Sequence, residues 1–176
     1  DFFFVEENVL TILVADVSGK GVPAALFMAV TRTVLRNLAM SGRSPSQILD
    51  EANAVLARDN DRFLFVTMFV GHYHTDTGVL HYANAAHPPP YHISNGEISV
   101  ACEPTGTLLG VFGDQRYPGA TFQLGVGERL LLYTDGVPEA RTSAHEFYGE
   151  ERFLKLVRRM AHAPAEELCS EITRDV

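Results

Sequence analysis

Short apolar runs broken by a polar turn open the chain. Phe2 to Val5 and Val9 to Val14 are apolar, β-favouring runs separated by the polar turn Glu6-Glu7-Asn8, which predicts a hairpin with Asp16 just past its second strand. After Gly19-Lys20-Gly21 the period lengthens. Pro23 suits a first helical turn, and Phe27, Val30, Val34 and Leu38 recur at three- and four-residue steps, predicting an amphipathic helix that ends near Gly42. Ser44-Pro45 supplies an N-cap and a first-turn proline for a second helix, with Ile48, Leu49, Ala52 and Leu56 on its buried face and an end near Asp59-Asn60.

From Phe63 the period changes. FLFVTMFVGHYH, the turn Asp76-Thr77-Gly78 and VLHYANA predict a second hairpin. Pro88, Pro89 and Pro90 withhold backbone donors, so the strand near Tyr91 is expected at an edge or after the prolines, before Asn95-Gly96 turns the chain. Gly106, Gly110, Gly113 and Gly119 mark a turn-rich stretch, ATFQL reads as a short strand, and ERLLLYT reads as a buried strand delivering Asp135. Helical spacing resumes from Gly149 to His162 and from Pro164 to Val176, with Phe153, Leu156, Val157 and Met160 on one face and Leu168 with Ile172 on another. Helices in pairs with antiparallel strands between them argue for α+β layers rather than a doubly wound sheet, and the lack of repeats or long linkers argues for one domain.

Composition narrows the function. With 176 residues, 46% of them hydrophobic, the chain can bury a single core without staples. A net charge of −8 provides no basic stripe for a nucleic-acid backbone, so nucleic acid is not an expected partner. Two cysteines, Cys102 and Cys169, lie outside any zinc-like spacing and fit a reducing, cytoplasmic setting. No apolar run is long enough to span a bilayer, and the opening Asp1-Phe2-Phe3-Phe4 reads as the start of an excised piece whose parent can still be membrane-anchored.

The chemistry centres on two aspartates. Asp16 in ADVSGKG and Asp135 in YTDG each leave an apolar, β-branched run and are followed closely by glycine, the setting in which a fold presents oxygen ligands to a hard divalent cation. Either one alone also suits a turn residue that bonds its own backbone. Small Ser18, Gly19 and Gly21 leave room for backbone carbonyls beside Asp16, whereas a P-loop is excluded because Lys20 is followed by Gly21 and not by Ser or Thr. His72, His74, His81, His87 and His92 form a rival set for a transition metal, but neither a carboxylate nor a cysteine completes it. Ser18 lacks the surroundings of a nucleophile elbow.

Taken in order, DFF, VADVSGKGVPAALFMA, FVTMFVG, YANAAHPPPY, GTLLGV, GERLLLYTDGVPEAR and FYGEERF resemble the bacterial serine phosphatases of the stage II sporulation protein E type, within the metal-dependent phosphatases of the 2C class. The resemblance implies a four-layer α-β-β-α sandwich, two antiparallel sheets flanked by helices, with two Mn²⁺ or Mg²⁺ ions. It further implies that Asp16 bridges the ions, that the Val17 carbonyl binds one, that Asp135 binds the other, and that Asp1 acts on one directly or through water. The implied substrate is phosphoserine or phosphothreonine on an anti-anti-sigma-factor domain, with an upstream sensor or receiver domain and a homodimer as further expectations. An inactivated regulatory module that binds the same partner is the alternative.

Two departures stand out. Animal and plant relatives carry a histidine shortly after the bridging aspartate, where this chain has Ser18, which leaves protonation of the leaving group to water or to His87. The usual Ala-Gly-His-Pro-Pro is Ala85-Ala86-His87-Pro88-Pro89 here. The pattern also implies two glycines before Asp1 and a further strand with an Asp-Asp pair beyond EITRDV, so trimming at both ends and a missing terminal strand are expected.

Overall fold

Alternation in VLTILVADV puts Val9, Thr11 and Leu13 on one face of a strand and Leu10, Ile12, Val14 and Asp16 on the other. The computed structural model describes residues 1–58, 60–141 and 145–176, which fall into two compact units. The first comprises Asp1–Pro89 and Cys102–Leu124, the second Pro90–Ala101 and Gly125–Val176.

The first unit is a five-stranded antiparallel sheet with two helices. Its strands are β1 (Phe2–Glu6), β2 (Val9–Val17), β3 (Val66–His74), β4 (Val79–Ala85) and β7 (Ala120–Gln123), in the order β1-β2-β3-β4-β7. Helix α1 (Gly21–Met40) and helix α2 (Pro45–Arg58) cover one face. There Leu13, Val66, Met68, Val70, Ala83 and Ala85 pack against Leu35, Ala39, Ile48, Leu49, Ala52 and Leu56. Side chains as deeply buried as Leu35, Ile48 and Leu49 each contribute about 1.5–3 kcal/mol relative to exposure.

Both predicted hairpins form, with two refinements. Strand β2 continues through Asp16 to Val17, because β3 pairs along its whole length from Val9↔His74 to Val17↔Val66. On α1 the buried stripe is Thr31, Leu35 and Ala39, with Phe27, Val34 and Leu38 partly covered, while Val30, placed on the inner face by its spacing, is 52% exposed. Helix α2 buries the four predicted residues and Asn53 with them. Its predicted end at Asp59 lies outside the described residues.

The turn-rich stretch after Cys102 is held by polar side chains of α2. Buried Asn53 donates to the Phe112 carbonyl at 2.6 Å and accepts from the Gly110 amide at 2.9 Å. Asp50 accepts from the Tyr117 amide at 2.9 Å and pairs with Arg116 at 3.0 Å. These bonds satisfy backbone that no sheet reaches. They also seat Tyr117, fully buried, in the core, with its hydroxyl donating to the Leu108 carbonyl at 3.0 Å.

The second unit is a three-stranded antiparallel sheet, β6-β5-β8, with a helix pair. Strand β5 (Tyr91–Ser94) starts after the prolines, as expected, but is the central strand between β6 (Glu97–Val100) and β8 (Arg129–Leu131). The predicted buried strand ERLLLYT shortens to the half-buried β8, and Asp135 follows it in a turn. Helices α3 (Glu150–Arg159) and α4 (Ala165–Asp175) match the predicted pair. An aromatic nucleus joins them to the sheet: Tyr91 and Tyr133 stack with centroids 5.2 Å apart, and Phe153 meets Tyr133 edge-on at 5.0 Å. Arg129 donates to the Ala161 and Ala163 carbonyls in the turn between α3 and α4, and Asp175 accepts from the Tyr148 hydroxyl at 2.7 Å and from Arg152 at 3.1 Å. Among the described residues no helix is long and apolar enough to cross a membrane.

Two stability predictions follow from this packing. A Cβ on Gly71 would stand 2.8 Å from Leu80 Cδ1 and 3.1 Å from Phe69 Cε1, so Gly71→Ala is expected to destabilise by about 1–3 kcal/mol in urea unfolding. Unchanged stability would mean that this face is loosely packed. Glu128 accepts from the Gly125 amide, the Ser94 hydroxyl and His92, which holds its carboxyl down at about 2. A depressed carboxyl stabilises the fold above its ordinary value near 4.5, and that stabilisation disappears as pH falls toward 2. Unfolding curves of the native chain should therefore weaken more steeply over that range than those of Glu128→Gln, and parallel profiles would contradict this.

Candidate active site

The end of β2 sets the site. Ser18 donates its amide to the Phe65 carbonyl at 2.8 Å, and the Phe65 amide donates to the Ser18 hydroxyl at 2.9 Å. The serine side chain thus takes a bond that its own carbonyl would accept in a continuing ladder, and the chain can leave the sheet without loss of register. Gly19, at φ +89, makes the departure, with Leu64 lying 3.5 Å from where its Cβ would be.

That parity fixes what the strand end presents. Since Ser18 and Phe65 form a hydrogen-bonded pair, so do Asp16 and Thr67, two residues back in the same register, while Val17 and Val66 do not bond each other. Val66 accordingly exchanges both of its backbone bonds with Leu109 on its other side. The Val17 carbonyl is therefore directed out of the β2–β3 ladder. Half-buried Asp16 leaves the sheet face opposite α1 and α2, the face that it shares with Thr67, Phe69 and Asn84.

Asp1 lies elsewhere on the first unit. It exchanges backbone bonds with Leu13, which puts its side chain on the α1 side, and there its Oδ2 is held by Arg32 at 3.1 Å and Arg36 at 2.9 Å. Asp1 and Asp16 thus leave opposite faces of the sheet. Asp135 belongs to the second unit, exposed in a turn whose backbone closes through the Glu139 amide to the Asp135 carbonyl at 2.8 Å. Among the described residues its carboxylate has no hydrogen bond or ion pair.

The histidines separate. His72 and His81 are cross-strand neighbours, and the His74 and His81 rings meet edge-on at 5.2 Å, but His87 and His92 stand apart from them. Burial and the neighbouring imidazoles His74 and His81 push the His72 pKa down. Within either unit, no three His, Cys, Asp or Glu side chains converge among the described residues as a metal site. His92 bonds Glu128 at 3.0 Å. His87 is 1% exposed and meets the Thr67 hydroxyl through Nδ1 at 3.0 Å, a buried placement that a surface-histidine reading misses. Burial pushes the Cys102 thiol up to about 12, which excludes a thiolate at neutral pH.

With this geometry in hand, comparison with known proteins is decisive. A family model described as Stage II sporulation protein E (SpoIIE) matches residues 6–176. The chain belongs to that family. It is 32% identical over 171 residues to phosphoserine phosphatase RsbU of Bacillus subtilis (strain 168), covering 97% of this chain and 51% of RsbU. The structure of the RsbU and RsbW domains of Rv1364c from Mycobacterium tuberculosis superposes with a TM-score of 0.81 at 28% identity, over 97% of this chain and 48% of that one. The SiaA-PP2C domain of Pseudomonas aeruginosa gives 0.79 at 23% identity, over 96% and 68%. This SpoIIE-family chain therefore has the PP2C-type phosphatase fold, and it spans about half the length of RsbU.

The donor set suits the cations of such phosphatases. Carboxylates at Asp16 and Asp135 and the outward carbonyl of Val17 are hard oxygens, the type that Mg²⁺ and Mn²⁺ prefer. Thr67 beside Asp16, and Arg32 and Arg36 on Asp1, carry no signal in the sequence. Only the strand register and the placement of α1 identify them.

Proposed function

We propose that the chain is the catalytic domain of a protein-serine/threonine phosphatase, acting with two Mn²⁺ or Mg²⁺ ions on phosphoserine of an anti-anti-sigma-type regulator. The end of β2 carries this reading. There a half-buried carboxylate and an adjacent carbonyl turned out of its ladder are held by a serine that ends the sheet without slip. The substrate class draws support from RsbU, a phosphoserine phosphatase, and the partner class from Rv1364c, in which RsbU and RsbW domains occur in one protein.

Asp16 and the Val17 carbonyl in the first unit, and Asp135 in the second, would offer oxygens to the ions; Asp1 is a carboxylate of the first unit on the opposite sheet face. When bound, such ions lower the pKa of a water and screen the negative charge of the phosphoryl oxygens. The chain does the rest. Partial burial reduces the competition of water for the Asp16 carboxylate and strengthens its electrostatic reach. Exposed Asp135 gives up no protein bond when it takes a ligand. Asp1 differs, since its Oδ2 must leave two guanidiniums or act through its other oxygen. The Ser18 hydroxyl, engaged by the Phe65 amide, serves the backbone, so protonation of the serine leaving group falls to solvent.

The test is hydrolysis of p-nitrophenyl phosphate and of a phosphoserine-bearing anti-anti-sigma domain by the whole protein, with Mn²⁺ and with chelator. Turnover should require the metal, and Asp16→Asn should lower kcat/KM by at least about 100-fold, because metal catalysis supplies several kcal/mol. Full activity in chelator or in Asp16→Asn would refute the mechanism. Retained partner binding with no turnover would instead identify a regulatory module.

A further inference from the structure

We propose that half-buried Thr67 and buried His87 form a positioning pair that fixes the Asp16 carboxylate for its cation, a role that rests on the metal-dependent reading above. The argument begins with register. Asp16 and Thr67 are direct partners in the β2–β3 ladder, and the bonds at Ser18 and Phe65 make them a hydrogen-bonded pair. Their Cβ atoms therefore leave the same face at about 5.5 Å, close enough for one side chain to limit the rotamers of the other.

Thr67 is itself held. A β-branched side chain has few χ1 states, and the 3.0 Å contact between its hydroxyl and His87 Nδ1 selects among them. The surface that Thr67 turns toward Asp16 is thereby fixed. The imidazole is the fixed end of this chain of contacts, and its surroundings are built to keep it there.

Asn84 clamps the backbone of His87 on both sides. Its Oδ1 accepts from the His87 amide at 2.8 Å, and its Nδ2 donates to the His87 carbonyl at 3.1 Å and to the Cys102 carbonyl at 3.0 Å. Asn84 is fully buried and lies on the sheet face of Asp16, paired with Phe69. Ala86 sits at φ +52, a left-handed conformation that costs a non-glycine residue free energy, and three prolines stiffen the chain after His87. Burying two polar side chains, Asn84 and His87, next to a left-handed residue is a costly way to fill space beside an apolar sheet face, where hydrophobic side chains would serve. The His87 bond to the residue opposite Asp16 accounts for the expense: a ligand held in place by its neighbours loses less freedom when it binds.

The experiment uses the whole protein and Mn²⁺ itself, with affinity read by calorimetry and by Mn²⁺ electron paramagnetic resonance, beside kcat, KM and melting temperature. Thr67→Val keeps shape and removes the hydroxyl. It should weaken Mn²⁺ binding about 10–100-fold and lower kcat with little change in KM, and Thr67→Ser should restore both. If Thr67→Val does not fold, Thr67→Ala reads the same contact. A folded variant without the hydroxyl that binds Mn²⁺ within about twofold of the native protein overturns the proposal, as does a serine variant no better than the valine one. Failure of the native protein to bind Mn²⁺ overturns the dinuclear reading together with this one, so the two failures are distinguishable.

Discussion

The pairing of β2 with β3 runs without interruption from Val9↔His74 to Val17↔Val66, and the first unit depends on it. Period-2 geometry leaves no intermediate choices. A slip of one residue would send Leu13 and Met68 to the wrong face and carry Asp16 into the helical core. The same register ends on a side chain. By accepting from the Phe65 amide, Ser18 closes the ladder at the point where the chain must turn toward α1, so core packing and the exposure of the Val17 carbonyl are two consequences of one hydrogen-bond parity.

Buried amides do for the loops what the ladder does for the strands. Asn53 and Asn84 are both fully buried, and each ties backbone groups that no sheet pairs, around Gly110 and Phe112 in one case and around His87 and Cys102 in the other. An unpaired buried amide or carbonyl is costly, and a side-chain amide offers both a donor and an acceptor in a compact shape. In the second unit Glu128 plays the corresponding part at the turn before β8, with three donors converging on its carboxylate. Polar side chains thus hold irregular segments of both units, while the apolar clusters hold the sheets and helices.

Where the carboxylates stand is a matter of charge as well as topology. Two guanidiniums of α1 neutralise Asp1, while Asp135 stands exposed in its turn. The acidic net charge of the chain therefore does not describe the local field at any one of these groups, because their neighbours set it.

Periodicity alone determined both hairpins, all the helices and the α+β order, because 2.0 and 3.6 residue repeats are local properties and Pro, Gly and Ser mark their ends. It also singled out Asp16 and Asp135, since an acid after a β-branched run and before glycine is a local signal. Other features needed the folded chain. Val30 shares the helical spacing of Phe27 and Val34 yet faces water, because α1 is covered on a narrower stripe than its apolar residues could fill. Strand β5 became central through a partner, β8, distant in sequence, and among the described residues β8 pairs with β5 alone, over three positions. The bond between Thr67 and His87, and the attachment of Asp1 to α1, join residues whose separation along the chain carries no signal. Sequence decided which segments could pair and what chemistry they could carry; the tertiary structure decided which polar group met which, because those contacts exist only once the register is closed.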